Sequence, residues 1–159
     1  MFFDAFVASF ASVAVAEIGD KTQLLSLFLA ARFRSRGAII AGILVATLLN
    51  HAASAWFGAW VAQFIPEGWH AWLLGGSFIA VALWLLIPDK DDSEDTGVLR
   101  YGAFAASCML FFLAEIGDKT QIATVLLAAS FNDAVWYVIW GTTLGMLAAN
   151  VPVVYAGSW

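Results

Sequence analysis

The sequence has 159 residues, of which 62% are hydrophobic and only 12% are charged. Soluble domains carry about twice that share of charged residues, and apolar runs of about 20 residues recur along the chain, so an all-α integral membrane protein is predicted. The net charge is −5 and the sequence has no basic cluster, which argues against a nucleic-acid-binding protein. Cys108 is the single cysteine, so intrachain disulfides are excluded.

Five membrane-spanning helices are predicted, at residues 2–31, 38–64, 71–87, 101–129 and 135–155. The first is interpreted as a retained helix rather than a cleaved signal peptide, because no Lys or Arg precedes its apolar run. Basic residues occur in two of the four loops: Arg32, Arg34 and Arg36 after the first span, and Lys90 and Arg100 after the third. The positive-inside rule therefore places these two loops in the cytoplasm and the N-terminus outside.

The segment AEIGDKTQ occurs at residues 16–23 and again, letter for letter, at residues 114–121. The copies lie on the first and fourth spans, so their helices are predicted to run in opposite directions, as in the inverted repeats of secondary transporters. This predicts a first three-helix unit at residues 1–88, a hydrophilic cytoplasmic loop at 89–100 and a second unit at 101–159. The second unit has two spans, and we expect that a sixth helix has been lost by truncation.

Each copy of the repeat places two acids about midway along a span. Glu17, for example, lies about 22 Å from the start of its predicted helix at 1.5 Å per residue. A charge at that depth costs about 2.5–3.5 kcal/mol, so four acids require pairing, protonation or a bound cation. The i, i+3 spacing predicts that each pair shares one helix face. We therefore predict one metal site made of Glu17, Asp20, Glu115 and Asp118.

Neutral oxygens near these acids are candidate additional ligands: Thr22, Thr120, Gln23, Gln121, Asn50 and Asn150. Carboxylate and amide oxygens suit calcium, magnesium or manganese. The same oxygens can hold protons, so the cluster favours exchange of a dication for protons. Gly19 and Gly117 are expected to allow close approach of a neighbouring helix, and Gly141 and Gly145 form a GxxxG pair suited to close packing.

A structural interpretation of the acids is the alternative. Glu17 and Lys21 are spaced i, i+4 in the favourable order, so the acid and the lysine could form a simple ion pair. Exact duplication favours a functional role, and Lys21 and Lys119 are predicted to balance part of the site's charge. His51 is interpreted as a packed, neutral histidine, with a proton relay as the alternative.

At these residues the sequence resembles the calcium/manganese cation–proton exchangers of the GDT type. That family is marked by two copies of E-x-G-D-[KR]-[TS] on the first and fourth of six spans, and here both read EIGDKT, at residues 17–22 and 115–120. The resemblance implies an inverted repeat of three-helix units, motif acids that bind the transported ion, and no prosthetic group. Similar bacterial members export manganese, and organellar members move manganese and calcium into secretory compartments.

We therefore predict a secondary active transporter, not an enzyme, in a bacterial inner membrane. It would export Mn²⁺, with Ca²⁺ as a second cargo, in exchange for protons. Its partners would be divalent ions, protons and the lipid bilayer, and a homo-oligomer is compatible with the sequence. Two alternatives stay open: a passive divalent-cation channel with an acidic ring, and an intramembrane hydrolase with two acids within about 3 Å of each other.

Overall fold

The computed structural model describes residues 2–87 and 96–157. Seven α-helices lie in these ranges: α1 (Phe2–Glu17), α2 (Lys21–Arg32), α3 (Arg36–Ala62), α4 (Glu67–Leu85), α5 (Ala103–Glu115), α6 (Lys119–Ser130) and α7 (Val135–Gly157). Short 3₁₀ helices at Thr96–Tyr101 and Asn132–Ala134 precede α5 and α7. Within the described ranges there is no strand, which confirms the predicted all-α class. Most of the predicted hydrophilic loop, residues 89–95, lies outside the described residues.

Three helices are long and apolar enough to cross a membrane: α3, α4, and α7 together with the turn before it. Helices α1 and α2 together are also long and apolar enough, but they are sharply bent at the break between them, as in a broken span or a re-entrant loop. Helix α5 is apolar but has only 13 residues, fewer than the roughly 20 that a span requires. The prediction of continuous first and fourth spans is therefore corrected, since each of these segments is divided into two helices.

Both breaks fall inside the repeated motif. The axes of α1 and α2 meet at 71°, and the backbone passes through Gly19 at φ +78° and Gly117 at φ +76°. Glycine adopts this left-handed region without steric cost. A Cβ atom at either glycine would meet nothing within 4 Å. These glycines are thus required for the turn and not, as expected, for close helix approach.

Side chains of the same motif stabilise the turns. Asp20 and Asp118 are the N-cap residues of α2 and α6, with extended backbones, but neither carboxylate makes a capping bond to its helix. Gln23 Oε1 accepts the N–H of Gly19 at 2.7 Å, and Gln121 Oε1 accepts the N–H of Gly117 at 2.5 Å. An acid followed three residues later by Gln is the spacing of a capping box, although here the bond reaches one residue further back.

The two halves of the chain pack mainly on each other. Helix α1 lies along α7, and α5 lies along α3. At these contacts a Cβ on Gly141 would lie 2.8 Å from Ser9 Cβ, and a Cβ on Gly42 would lie 2.7 Å from Ser107 Cβ. A Cβ on Gly145 would lie 2.6 Å from a carbonyl oxygen of α1, so the predicted close packing at Gly141 and Gly145 is confirmed.

The remaining contacts bring the two breaks together in the interior. Helix α3 packs on α6 and α7, and α4 packs on α6 while burying only Val81. The paired breaks and the paired glycine–serine contacts agree with two related units of chain. The opposite direction of these units, and the boundaries given for them, stay predictions.

Candidate metal centre

Three carboxylates from the two breaks meet at one point. One oxygen each from Glu17, Asp20 and Asp118 lies within 4.8 Å of the other two. Glu17 and Asp118 are buried, and Asp20 is half-buried. Oxygens on opposite sides of a Mg²⁺ or Ca²⁺ ion are about 4–5 Å apart, twice the metal–oxygen distance. The group therefore has the dimensions of a divalent-cation site.

The turns, and not helical periodicity, bring these acids together. Glu17 is the last residue of α1 and Asp20 precedes α2, so the expectation that the pair shares a helix face is corrected. The Glu17 carbonyl accepts the Asp20 N–H at 3.1 Å, and the Glu115 carbonyl accepts the Asp118 N–H at 3.1 Å. Because both acids flank a glycine with positive φ, each break can direct carboxylates towards the other half of the chain.

The two motif threonines converge on Glu17. The hydroxyl of Thr22 donates to Glu17 Oε2, and the hydroxyl of Thr120 donates to Glu17 Oε1. Thr120 Oγ1 also lies 3.2 Å from Asp118 Oδ2. The side chains of Glu17, Thr22, Asp118 and Thr120 are all buried. The two oxygens of Glu17 are therefore held by one hydroxyl donor from each half of the chain.

Glu115, the fourth predicted ligand, stands apart from this group and faces α3. Its Oε1 accepts from Thr47 Oγ1 at 2.9 Å, and its Oε2 lies 3.5 Å from Asn50 Nδ2 and 3.8 Å from His51 Nε2. The Glu115 side chain is 1% exposed. The structure thus brings three of the predicted acids together and holds the fourth beside them.

The two asparagines differ, although they occupy matching places in the sequence. Asn50 donates to Glu115 and, at 3.1 Å, to the carbonyl of Phe112. Asn150 Oδ1 instead accepts from Ser26 Oγ at 2.8 Å, and its Nδ2 donates to the Met146 carbonyl at 3.0 Å. The prediction that both amide oxygens face the acids is corrected, because one amide presents its donor and the other is satisfied elsewhere. The oxygens of Gln23 and Gln121 are likewise already bonded at the breaks.

The lysines do not pair as the helical spacing suggested. Lys21 Nζ lies 4.0 Å from Asp118 Oδ1, in the other half of the chain, because the break removes the i, i+4 relation to Glu17. Lys119 Nζ donates to the Ile87 carbonyl just beyond α4 and lies 5.8 Å from the centre of the Trp84 ring. A cation at a helix C-terminus is favourable, so Lys119 also ties α6 to α4.

A small cleft lies beside Asp20. Gly19, Asp20, Lys119 and the residues Leu85 and Ile87 at the end of α4 contribute to its lining. The half-buried Asp20 lies at this cleft, whereas Glu17 and Asp118 are buried. Of the three acids, Asp20 is thus the one that the cleft reaches.

Two residues beside Glu115 were not assigned to the site by sequence reasoning. Thr47 was not considered, and His51 was interpreted as a packed residue. A signal existed, because Thr47, Asn50 and Ser54 form a polar stripe at i, i+3 and i+7 along an apolar span, and intramembrane polar residues face the bundle interior or a cavity.

Comparisons with known proteins agree with this chemistry. The chain matches the family described as "Divalent cation/proton antiporter GDT1" over residues 5–93 and 103–159. It is 57% identical over 149 residues to a Vibrio cholerae protein named "Putative manganese exporter", covering 94% of this chain and 74% of that protein. It is 29% identical over 177 residues to a GDT1-like protein of Synechocystis, covering 96% and 82% of the two chains.

A rice GDT1-like protein is 31% identical over 183 residues, covering 98% of this chain and 64% of that protein. No solved structure matches the chain. The predicted resemblance is confirmed, and the family is one of membrane transporters for divalent cations and protons, not a class of enzymes. The chain belongs to the GDT1 family of divalent cation/proton antiporters.

Proposed function

We propose that this protein exports Mn²⁺, with Ca²⁺ as a second cargo, from the cytoplasm in exchange for protons. The observation that carries the proposal is the meeting of Glu17, Asp20 and Asp118 within 4.8 Å. An all-oxygen set of this kind suits Mn²⁺, Ca²⁺ and Mg²⁺. The name of the Vibrio relative supports manganese as the physiological cargo.

Charge repulsion explains why such a group would exchange ions. Two unit charges 4.8 Å apart repel by about 3–4 kcal/mol at an effective dielectric constant of 20. Lys21, 4.0 Å from Asp118, offsets only part of the charge of three ionised acids. The group is therefore stabilised either by a dication or by protons. Binding of one would release the other, which couples the two ions.

The broken helices support alternating access to this group. Breaks in membrane helices at an ion site, with half-helix ends directed at it, are typical of secondary transporters. The cleft beside Asp20 is bordered by the end of α4, which leads to the loop predicted to be cytoplasmic. A site that opens there would accept its cargo from the cytoplasm, as export requires.

The proposal is tested by Mn²⁺ uptake into proteoliposomes with an imposed pH gradient. We expect Glu17→Gln and Asp118→Asn to abolish most uptake, because each removes an anionic ligand and a proton acceptor while nearly preserving shape. The effects should not add, since residues that act as one unit fail together. Folding is checked by gel filtration and thermal unfolding.

Matched control variants are available at exposed acids. Glu67→Gln at the start of α4 and Asp133→Asn in the turn before α7 remove the same charges away from the site, so both should transport as the parent protein does. Full proton-coupled uptake by Glu17→Gln and Asp118→Asn would contradict the proposed site. A rate of Mn²⁺ uptake that does not depend on the pH gradient would instead support the channel alternative.

A further inference from the structure

His51 is a buried polar side chain that the three-carboxylate group does not use. It lies on α3, is 1% exposed, and neither ring nitrogen has a hydrogen-bond partner among the described residues. Buried polar side-chain atoms nearly always have such a partner. The ring nitrogens of His51 therefore have bonding capacity that the described residues do not satisfy, and a bound species would satisfy it.

The position of Glu115 indicates what that ligand is. His51 Nε2 lies 3.8 Å from Glu115 Oε2, too far for a hydrogen bond. Two atoms bound to one metal ion at about 2.1 Å are about 3 Å apart when adjacent and about 4.2 Å apart when opposite. The separation of 3.8 Å lies between these two values, so a single ion can contact both atoms after a small adjustment of either side chain.

The carboxylate is also oriented for this role. Thr47 donates to its other oxygen, Oε1, at 2.9 Å, which fixes the group. Oε2 accepts from Asn50 Nδ2 at 3.5 Å and also faces the imidazole, which leaves one of its lone pairs for an ion. Glu115 begins the helix break that Asp118 ends, and the Asp118 N–H donates to the Glu115 carbonyl at 3.1 Å, so this position adjoins the three-carboxylate group.

The arrangement occurs on one side of the molecule only. Aligning Asn50 with Asn150 places Val151 at the position of His51 and Leu147 at the position of Thr47. Helix α7 therefore offers neither an imidazole nor a hydroxyl at these two places. Repeat symmetry does not explain His51, and its chemistry is particular to the side of Glu115.

We propose that His51 Nε2 and Glu115 Oε2 are ligands of the transported ion at a second position, and that the imidazole selects transition-metal dications such as Mn²⁺ over Ca²⁺ and Mg²⁺. This rests on the proposed function, because it concerns the same cargo. Ca²⁺ and Mg²⁺ are hard cations that prefer oxygen ligands, whereas imidazole is a common ligand of transition metals. A mixed nitrogen–oxygen position therefore favours Mn²⁺, which oxygen ligands alone distinguish poorly.

Pulsed electron paramagnetic resonance of the Mn²⁺-loaded protein in detergent tests the ligand directly. We expect a ¹⁴N coupling from a coordinated imidazole in the parent protein, its loss in His51→Asn, and its retention in His70→Asn. His70 is the matched control, since it is the chain's other histidine and its Nε2 lies 2.7 Å from the Ile65 carbonyl. The protein is loaded with Mn²⁺ until no further ion binds, so that both positions are filled. Absence of nitrogen coupling in the parent protein under these conditions would overturn the proposal, even if His51→Asn failed to fold.

Transport selectivity provides the second measurement. In proteoliposomes, His51→Asn should lower the Mn²⁺/Ca²⁺ uptake ratio by about tenfold or more, a loss typical when groups that tune a metal site are removed. The ratio should not change in His70→Asn. An unchanged ratio in His51→Asn would overturn the selectivity role alone, whereas the proposed function fails only if the parent protein does not exchange Mn²⁺ for protons.

Discussion

The substitution Gly117→Ala adds one methyl group at the break between α5 and α6 and tests whether this break holds the acids in place. In Gly117→Ala the added Cβ meets nothing within 4 Å, so the cost comes only from φ +76°. For an L-residue this left-handed conformation costs about 1–2 kcal/mol in the free energy of unfolding. Gly75 in α4 offers equally open space without a positive φ. Gly75→Ala should therefore be neutral or stabilise the helix by about 0.5–1 kcal/mol.

Thermal unfolding of the purified variants in detergent measures whether Gly117→Ala lowers stability while Gly75→Ala leaves it unchanged or raises it. For a chain of this length 1 kcal/mol shifts Tm by about 2–4 °C, so Gly117→Ala should lower Tm by roughly 2–8 °C. Gly117→Asn should lie closer to the parent protein, because Asn tolerates the left-handed region better. Gly117→Ala should also lose Mn²⁺ transport, since Asp118 follows directly. Equal Tm values for Gly117→Ala and Gly75→Ala would show that the left-handed backbone at Gly117 has no energetic cost for alanine.

Three further predictions concern packing, pH and topology. In Gly58→Ala the new Cβ would lie 2.1 Å from a carbonyl oxygen of α6, so the free energy of unfolding should fall by about 3 kcal/mol. Gly76 has open space around it, so Gly76→Ala should show no such loss. Protons and Mn²⁺ compete for the same oxygens, so the apparent Mn²⁺ affinity measured by uptake at equal pH on both sides should rise with pH; an affinity independent of pH would contradict this competition. Single cysteines replacing Arg34 and Glu67 in a Cys108→Ala background should react with impermeant reagents from opposite membrane sides, and labelling from one side would contradict the inverted repeat.

The sequence was sufficient to predict the helices that lie wholly within apolar runs. Helices α3, α4 and α7 begin and end within four residues of their predicted limits, because long apolar runs bounded by polar residues can only be helical in a membrane. The two breaks were missed because the hydrophobicity of a run does not report a single positive φ. The motif itself carried the signal, in a glycine followed by an acid and, three residues later, by Gln.

The site was predictable in its residue types but not in its geometry. Repetition singled out Glu17, Asp20, Glu115 and Asp118 as candidates, and three of them meet. The separate position of Glu115 depends on its contact with Thr47 across α3 and α5, which no pattern within one helix reveals. Equivalent places in the repeat also suggested equal roles for Asn50 and Asn150. Their roles differ because Asn50 donates to Glu115, whereas Asn150 accepts from Ser26.

The most direct test of the account is proton movement driven by manganese alone. Proteoliposomes containing a pH-sensitive dye are prepared with equal pH on both sides and a clamped membrane potential, and a Mn²⁺ gradient is then imposed. We expect protons to move opposite to Mn²⁺ in the parent protein and in Asp133→Asn, and we expect Asp118→Asn to abolish both fluxes. Mn²⁺ flux without proton movement, or unchanged exchange in Asp118→Asn, would contradict it.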